Sequence, residues 1–275
     1  MSQYVDEFRG TDNLVYAEVL TDNNEVGEGY TTGTVQILAP VAEISKTVET
    51  ASDTKYYDNK PALTINAEGA DTITLTVPAL DLATLAAITG KNYDTTLGAF
   101  FDGPITPKYY ALGYRLRLTD GTYRYVWRYK GSFAIPDETS QTENAGTDSN
   151  NQQLTYTGIM TMHTFIKTGS SEKALVVDER DSNADLEDFF DDVVTCDTLQ
   201  QKTAYTLSIT QASNTTVTVK RNGTTLANNA SIYAGDVLTI TCTGGTLTVN
   251  STSFTSGNTT TVSGNVTVVS TASAA

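Results

Sequence analysis

Residues 109–130 read YYALGYRLRLTDGTYRYVWRYK. On either side of Asp120-Gly121 the run alternates with period two, as a strand with two different faces does. Asp-Gly between two such runs signals a tight hairpin turn. A two-residue turn would pair Leu118 with Tyr123, Leu116 with Tyr125, Tyr114 with Trp127 and Leu112 with Tyr129. One face of the hairpin would then be wholly aliphatic and aromatic. The other would gather Arg115, Arg117, Arg124, Arg128 and Lys130, although the whole chain has a formal net charge of -15.

That charge bounds the function classes. An acidic chain of 275 residues with a pI near 4.3 lacks the basic footprint of a general nucleic-acid binder. It is compatible with a surface past which nucleic acid slides without sticking. The 15 tyrosines and the abundant threonines suit strands better than helix interiors. MSQYVDEFRG has no apolar core, so it does not read as a secretory signal. No run approaches the roughly 18 apolar residues of a membrane span. The expected setting is a reducing cytoplasm, with Cys196 and Cys242 as unpaired thiols.

The chain changes character after Lys202. Beyond it only Lys220, Arg221 and Asp236 are charged, and Thr, Ser, Asn and Gly dominate. Residues 1–202 and 203–275 are therefore read as separate domains. In the second, inward sets such as Leu207/Ile209, Val217/Val219, Leu238/Ile240, Leu247/Val249 and Val266/Val268 are separated by Asn-Gly and Gly-Gly turns. This is the pattern of a small β-sandwich without helices.

In the first domain Ile73, Leu75 and Val77 alternate with threonines, and Asp81 is placed to cap a short helix ended by Gly90. Val48 to Ala62 is polar and reads as a long loop between strands. Pro136–Gln153 reads as another, mobile loop. LTYTGIMTMHTFIK, residues 154–167, resumes strand alternation. Ser182 and Asp185 resemble a capping box for a second helix carrying Leu186, Phe189, Phe190 and Val193.

Catalytic signatures are sparse. The single histidine, His163, has no metal-ligand companions in sequence and no Gly-x-Ser-x-Gly partner. Asp181, Asn183 and Asp185 occupy calcium-loop positions, but Leu186 stands where the sharp turn needs glycine. Glu68 and Asp71 read as part of a solvated acidic face rather than a glycosidase pair. No catalytic residue, cofactor or metal is expected.

The succession of features over residues 1–202 resembles the major tail proteins of long-tailed, non-contractile bacteriophages. The stretches that carry it are YYDNKPALTINAEGADTITLTVPALDLATLAAITG, ALGYRLRLTDGTYRYVWRYKGSFAIPDE and DSNADLEDFFDDV. The Thr-rich end departs from the minimal family pattern and resembles immunoglobulin-like decorations that some tail proteins carry. The resemblance implies a mainly β tail-tube sandwich or barrel with short flanking helices, followed by a small β-sandwich. It implies a virion structural protein, assembled in the host bacterial cytoplasm, whose hexameric rings stack into a tube that conducts DNA. A tape measure protein in the lumen and terminator and tip proteins at the ends are the implied partners. On this reading Arg115, Arg117, Arg124, Arg128 and Lys130 form a candidate subunit interface. Thr54, Lys55, Tyr56, Tyr57 and Asp58 lie in a candidate inter-ring loop that orders on contact. The alternative is a surface adhesin or carbohydrate-binding module, with Tyr205 and Tyr233 as the aromatic candidates for sugar stacking.

Overall fold

The computed structural model describes residues 5–24, 29–137, 151–180 and 183–273. The chain divides into two compact units between Leu199 and Gln200. It is mainly β, with one helix among the described residues.

The first unit contains β1 (Phe8–Asp22), β2 (Tyr30–Thr32), β3 (Gln36–Ile37), β4 (Glu43–Tyr57), β5 (Lys60–Val77), α1 (Leu82–Thr89), β6 (Asn92–Asp94), β7 (Ala99–Phe101), β8 (Tyr110–Leu118), β9 (Tyr123–Phe133), β10 (Gln152–Gly158) and β11 (Ala174–Asp178). Its main sheet has nine strands in the order β2-β1-β8-β9-β10-β5-β4, with β3 added to β1 and β11 to β9. All of its ladders are antiparallel, and the sheet does not close into a barrel. β6 and β7 form a separate two-stranded ribbon.

The β8–β9 hairpin forms, but its register differs by one residue from a two-residue turn. Leu118 N–H donates to Thr122 O at 2.8 Å and Gly121 N–H to Leu118 O at 3.1 Å, leaving Thr119-Asp120-Gly121 as the connection. Gly121 takes φ 92°, the left-handed residue that a three-residue hairpin loop requires. The Asp120 carboxylate holds the turn by accepting from Thr122 N–H at 2.9 Å. The slip changes what shares a face. Arg117 now pairs with Tyr123, Arg115 with Tyr125 and Gly113 with Trp127, whereas Leu116 pairs with Arg124 and Leu112 with Arg128. A bulge between Leu112 and Tyr110 takes Lys130 out of the alternation. The basic side chains are therefore distributed over both faces, and the single basic face expected from the sequence does not exist.

Both faces of this sheet are covered. Leu112, Tyr114, Val126, Ile73, Leu75, Val77, Leu154 and Tyr156 build one core, closed by Leu38, Ala39 and Ile88 of α1. Tyr125, Trp127, Tyr129 and Ala111 build the other, closed by Phe165, Leu186 and Phe189. α1 starts and stops where its sequence says. Asp81 accepts from Thr84 N–H at 2.8 Å, and Gly90 ends the helix.

The second expected helix is instead a chain of turns from Glu187 onward, preceded by irregular backbone. Ser182 and Asp181 lie outside the described residues. The Phe189 carbonyl, which a helix would use internally, accepts from Trp127 Nε1 at 2.9 Å. The Asp185 side chain accepts from Glu187 N–H at 3.3 Å, one of the local bonds by which aspartate competes with helix. The apolar residues still face the core, so the spacing was read correctly and the backbone was not.

Residues 154–167 also depart from expectation, because β10 ends at Gly158. Beyond it Thr161, His163 and Phe165 remain buried while Met160, Met162 and Ile166 are exposed. Carboxylates stand in for a neighbouring strand. Asp22 accepts from Met162 and His163 N–H groups at 2.9 Å, and Asp197 accepts from Ile166 and Lys167 N–H groups at 2.9 and 2.7 Å.

The second unit is a pair of sheets around one core. Its strands are β12 (Ala204–Thr210), β13 (Thr216–Arg221), β14 (Thr224–Leu226), β15 (Ser231–Tyr233), β16 (Val237–Thr243), β17 (Gly245–Val249), β18 (Thr252–Phe254), β19 (Thr259–Thr261) and β20 (Val266–Ala272). One sheet runs β15-β12-β20-β17-β18 and the other β14-β13-β16-β19. Leu207, Val219, Leu238, Ile240, Leu247, Val249, Val266 and Val268 fill the space between, with Ile209 and Val217 partly buried against them. The edge strands β14, β15, β18 and β19 have three residues each, which limits unwanted edge pairing.

Gly113 is a tight point of the first unit's core. A Cβ there would lie 2.7 Å from Val15 Cγ2 and 2.8 Å from Trp127 Cζ3. Gly113→Ala is expected to lower stability by about 1–3 kcal/mol through overpacking. Gly10→Ala, where no atom lies within 4 Å, should change it by less than about 0.5 kcal/mol. Urea denaturation followed by Trp127 fluorescence measures both, and equal midpoints would contradict this packing.

Candidate assembly surface

The segment expected to be a polar loop, Val48 to Ala62, is not a loop. β4 and β5 continue through it as one long hairpin, closed by Asp58-Asn59 between paired Tyr57 and Lys60. Both turn residues have positive φ, 50° and 62°, which matches the twist of a two-residue hairpin. Thr54, Lys55, Tyr56 and Tyr57 thus belong to the end of β4, and Asp58 opens the turn.

Burial divides this hairpin in two. From Asp71 to Val77, β5 alternates buried and less buried positions; from Lys60 to Gly69 every residue is exposed. β4 is exposed or at most half-buried throughout. The distal half is therefore an arm with solvent on both sides. From Thr50 to Tyr57 it reaches about 26 Å at about 3.3 Å per residue.

The two sides of the arm differ. Paired residues project to the same side, so Ala51/Ala67, Asp53/Ile65 and Lys55/Leu63 share one, while Thr50/Glu68, Ser52/Asn66 and Thr54/Thr64 share the other. Leu63 and Ile65 are 52% and 50% exposed, and Tyr56 and Tyr57 at the tip are 66% and 65% exposed. A bulge separates arm from sheet: Val48 pairs with Asp71 but Thr50 with Glu68, so β5 carries the extra residue. It puts the Thr/Ser/Asn side in line with the sheet core and turns Leu63 and Ile65 to the opposite side.

At this junction stands Asp71, the innermost carboxylate of the region at 2% exposed. Arg128 Nη1 lies 3.0 Å from its Oδ2, Lys46 Nζ 3.5 Å from the same atom, and Lys173 Nζ 3.4 Å from Oδ1. Lys173 also holds Glu68 at 2.7 Å and the carbonyl of Gly69. Asp71 is thus not part of a solvated face, and Glu68 and Asp71 are joined through a lysine rather than across an open cleft. Neither Asp71 nor Lys173 was singled out from sequence for this role. The available sign was an aspartate in phase with Ile73, Leu75 and Val77, a charge on a buried face.

Most of the basic hairpin residues are matched within the chain. Arg115 binds Asp12 through two hydrogen bonds of 2.5 and 3.1 Å and lies over the Tyr123 ring at 4.1 Å. Arg124 binds Asp178 likewise at 2.5 and 2.8 Å. Arg128 goes to Asp71, and Lys130 to Asp22 at 2.5 Å. Arg117 alone among the five is exposed with no ion-pair partner among the described residues.

His163 is buried, edge-on to Phe165 at 4.8 Å, and its Nδ1 has no hydrogen-bond partner among the described residues. Nothing there orients it as a base. In the second unit Tyr205 packs against the core, and the Tyr233 ring lies 5.6 Å from the Arg221 guanidinium, which also binds Asp236 at 2.8 Å.

One edge of β4 pairs with β5; no strand pairs with the other among the described residues. This edge of fifteen residues, continued into the two-sided arm, leaves a row of backbone donors and acceptors without a strand partner among the described residues. No family model matches the chain, and no curated protein matches it.

The carboxylates that hold the first unit together set its acid limit. Arg124 holds the Asp178 carboxyl below its ordinary range. Burial works to raise Asp22, but Lys130 and the N–H groups of Met162 and His163 outweigh it, so Asp22 is also lowered. A lowered folded value means stabilisation that is complete above the unfolded value of about 3.9 and is lost as pH falls through the folded one. The urea midpoint should be nearly flat from about pH 7 to about pH 5 and fall below about pH 4. In Asp22→Asn/Asp178→Asn the midpoint should start lower and fall less steeply. An acid limb of unchanged slope would contradict the assignment.

Proposed function

We propose that this chain is a self-assembling structural subunit, a tail tube protein of a long-tailed, non-contractile bacteriophage. The observation that carries the reading is the β4–β5 hairpin: a long unpaired edge continued into an arm exposed on both sides. A two-stranded ribbon is marginal by itself in water. Its apolar side gains from burial, and the most available partner is another copy of the chain.

Joining open sheets edge to edge removes the edges and closes a barrel that no single subunit has. A heterologous contact of this kind generates rings or filaments. On this reading the arm, through Thr54, Lys55, Tyr56, Tyr57 and Asp58, links one hexameric ring to the next. The net acidity leaves a channel through which DNA passes without being held. A tape measure protein within and terminator and tip proteins at the ends complete the proposed partners. Internal pairing of Arg115, Arg124, Arg128 and Lys130 fits a channel wall that offers phosphate few free cations.

The test is electron microscopy of the purified protein at micromolar concentration. Rings or tubes are expected, and deletion of residues 52–65 with a short turn in their place should leave folded protein that no longer extends tubes. Dispersed monomers from the full chain, or normal tubes from the deletion, would overturn the reading.

The second unit is proposed as a decoration outside the tube. It has its own core and few charges, and its hydroxyl-rich surface offers weak contacts that many copies would strengthen by avidity. Truncation after Lys202 should preserve tube formation, narrow the outer diameter and leave the channel unchanged in micrographs. A well-folded truncation that forms no tubes would place this unit in the assembly interface instead.

A further inference from the structure

We propose that Asp71 and Lys173 form a latch that fixes the direction in which the arm leaves the sheet. These are positioning residues: they touch no partner, and they decide where the arm's partner-facing side points. The consequence for assembly rests on the tube reading above; the latch itself does not.

The junction is where the hairpin loses its other supports. Beyond Asp71 toward the tip, β5 has no β10 partner and no buried side chain, so only β4 accompanies it. The bulge at the same place adds freedom, because an extra residue interrupts the ladder. A long lever on an irregular hinge would swing unless something tied it down.

The ties come from elsewhere in the sheet. Lys173 immediately precedes β11, and its own carbonyl accepts from Tyr129 N–H at 2.9 Å, so its backbone is fixed to central strand β9. Its ammonium reaches across to the arm side of the bulge, holding Glu68 and the Gly69 carbonyl, and to the sheet side, holding Asp71. Arg128 of β9 binds Asp71 from within the core, and Lys46 of β4 binds it from the partner strand. One carboxylate thus ties β4, β5, β9 and the segment entering β11 at the hinge. The side chains of Lys173 and Asp71 are 12% and 2% exposed, so salt screens this cluster less than a surface pair.

Stability alone does not explain such a cluster. Removing charges from water is costly, and well-packed apolar residues often serve as well or better. What three cations around one carboxylate add is direction: each bond constrains the hinge from a different element.

Distance measurement between spin labels tests this in the full chain, with Cys196 and Cys242 changed to serine. One label goes on the arm at Tyr57→Cys and the other on the exposed sheet position Arg117→Cys. The parent should give a single narrow distance distribution. Lys173→Met should broaden it, and Lys173→Arg should restore most of the narrowness. Glu68→Lys, on an exposed arm position, should broaden it too and serves if Lys173→Met does not fold. A distribution as narrow as the parent's in Glu68→Lys, or in a folded Lys173→Met, would overturn the latch. If one arm orientation in ten is competent, tube extension by the latch variants should weaken by about tenfold. Failure of the unmodified chain to form tubes would count against the tube reading and leave the spectroscopic result to decide the latch.

Discussion

Strand β9 is the constraint on which the first unit depends. It pairs with β8 along one edge, while its other edge is shared between β11 and β10. Trp127 sits at its middle without exposure and donates to the Phe189 carbonyl, so the irregular 183–199 segment is pinned to the same strand. A strand buried on both faces and bonded on both edges cannot shift register without losing two cores. Small residues on β9 and on its neighbour β8 follow from this. Gly113 faces the indole, and Gly131 lies where the Tyr156 ring and the Thr157 carbonyl leave no space for a side chain.

The electrostatics follow the same geometry. In so acidic a chain four of the five basic residues of the β8–β9 hairpin find a carboxylate, and folding places the pairs at structural joints. Lys130–Asp22 ties β9 to the end of β1 and, through Asp22, to the extended segment at 162–163. Arg124–Asp178 ties β9 to β11, and Arg128–Asp71 ties β9 to β5. Exposed pairs contribute little, roughly 0–1 kcal/mol. Lys130–Asp22 and Arg128–Asp71 are buried and matter chiefly because removing one partner strands the other. The concentration of basic residues in the β8–β9 hairpin therefore reflects its central position, where charge has to be matched.

Much of this architecture was legible in the residues. The capped helix at Leu82–Thr89, the hairpin at Asp120, the buried side of β5 and the inward residues of the second unit all follow from period, caps and turn chemistry. What was not legible depended on single residues or on distant partners. The choice between a two-residue and a three-residue turn inverts the pairing of faces while leaving the composition of the hairpin unchanged. The 183–199 segment has helical spacing, but Trp127, distant in sequence, takes its carbonyl. The arm reads as a loop in the sequence because polar residues on both sides of a ribbon look like the absence of a core. That absence is real; the missing element was the partner strand, which local pattern does not reveal.

For the proposed assembly, the arm's composition fits a weak contact rather than a strong one. Its apolar side carries only Leu63, Ile65 and two alanines, alongside the charged pair Asp53 and Lys55 at 2.5 Å. Leu63 and Ile65 are already half buried, so burying what remains of the two contributes about 1.5–3 kcal/mol before the losses of association are subtracted. One arm by itself would hold a partner weakly, and a free subunit would stay free. Repeated around the proposed ring, with each arm already oriented, the same contact would become strong because the later arms bind within an assembly that the first has positioned. In the proposed tube, a weak, oriented and repeated contact would favour orderly growth at an existing end over aggregation in solution, and the tyrosines exposed at the tip would be the groups such an end receives.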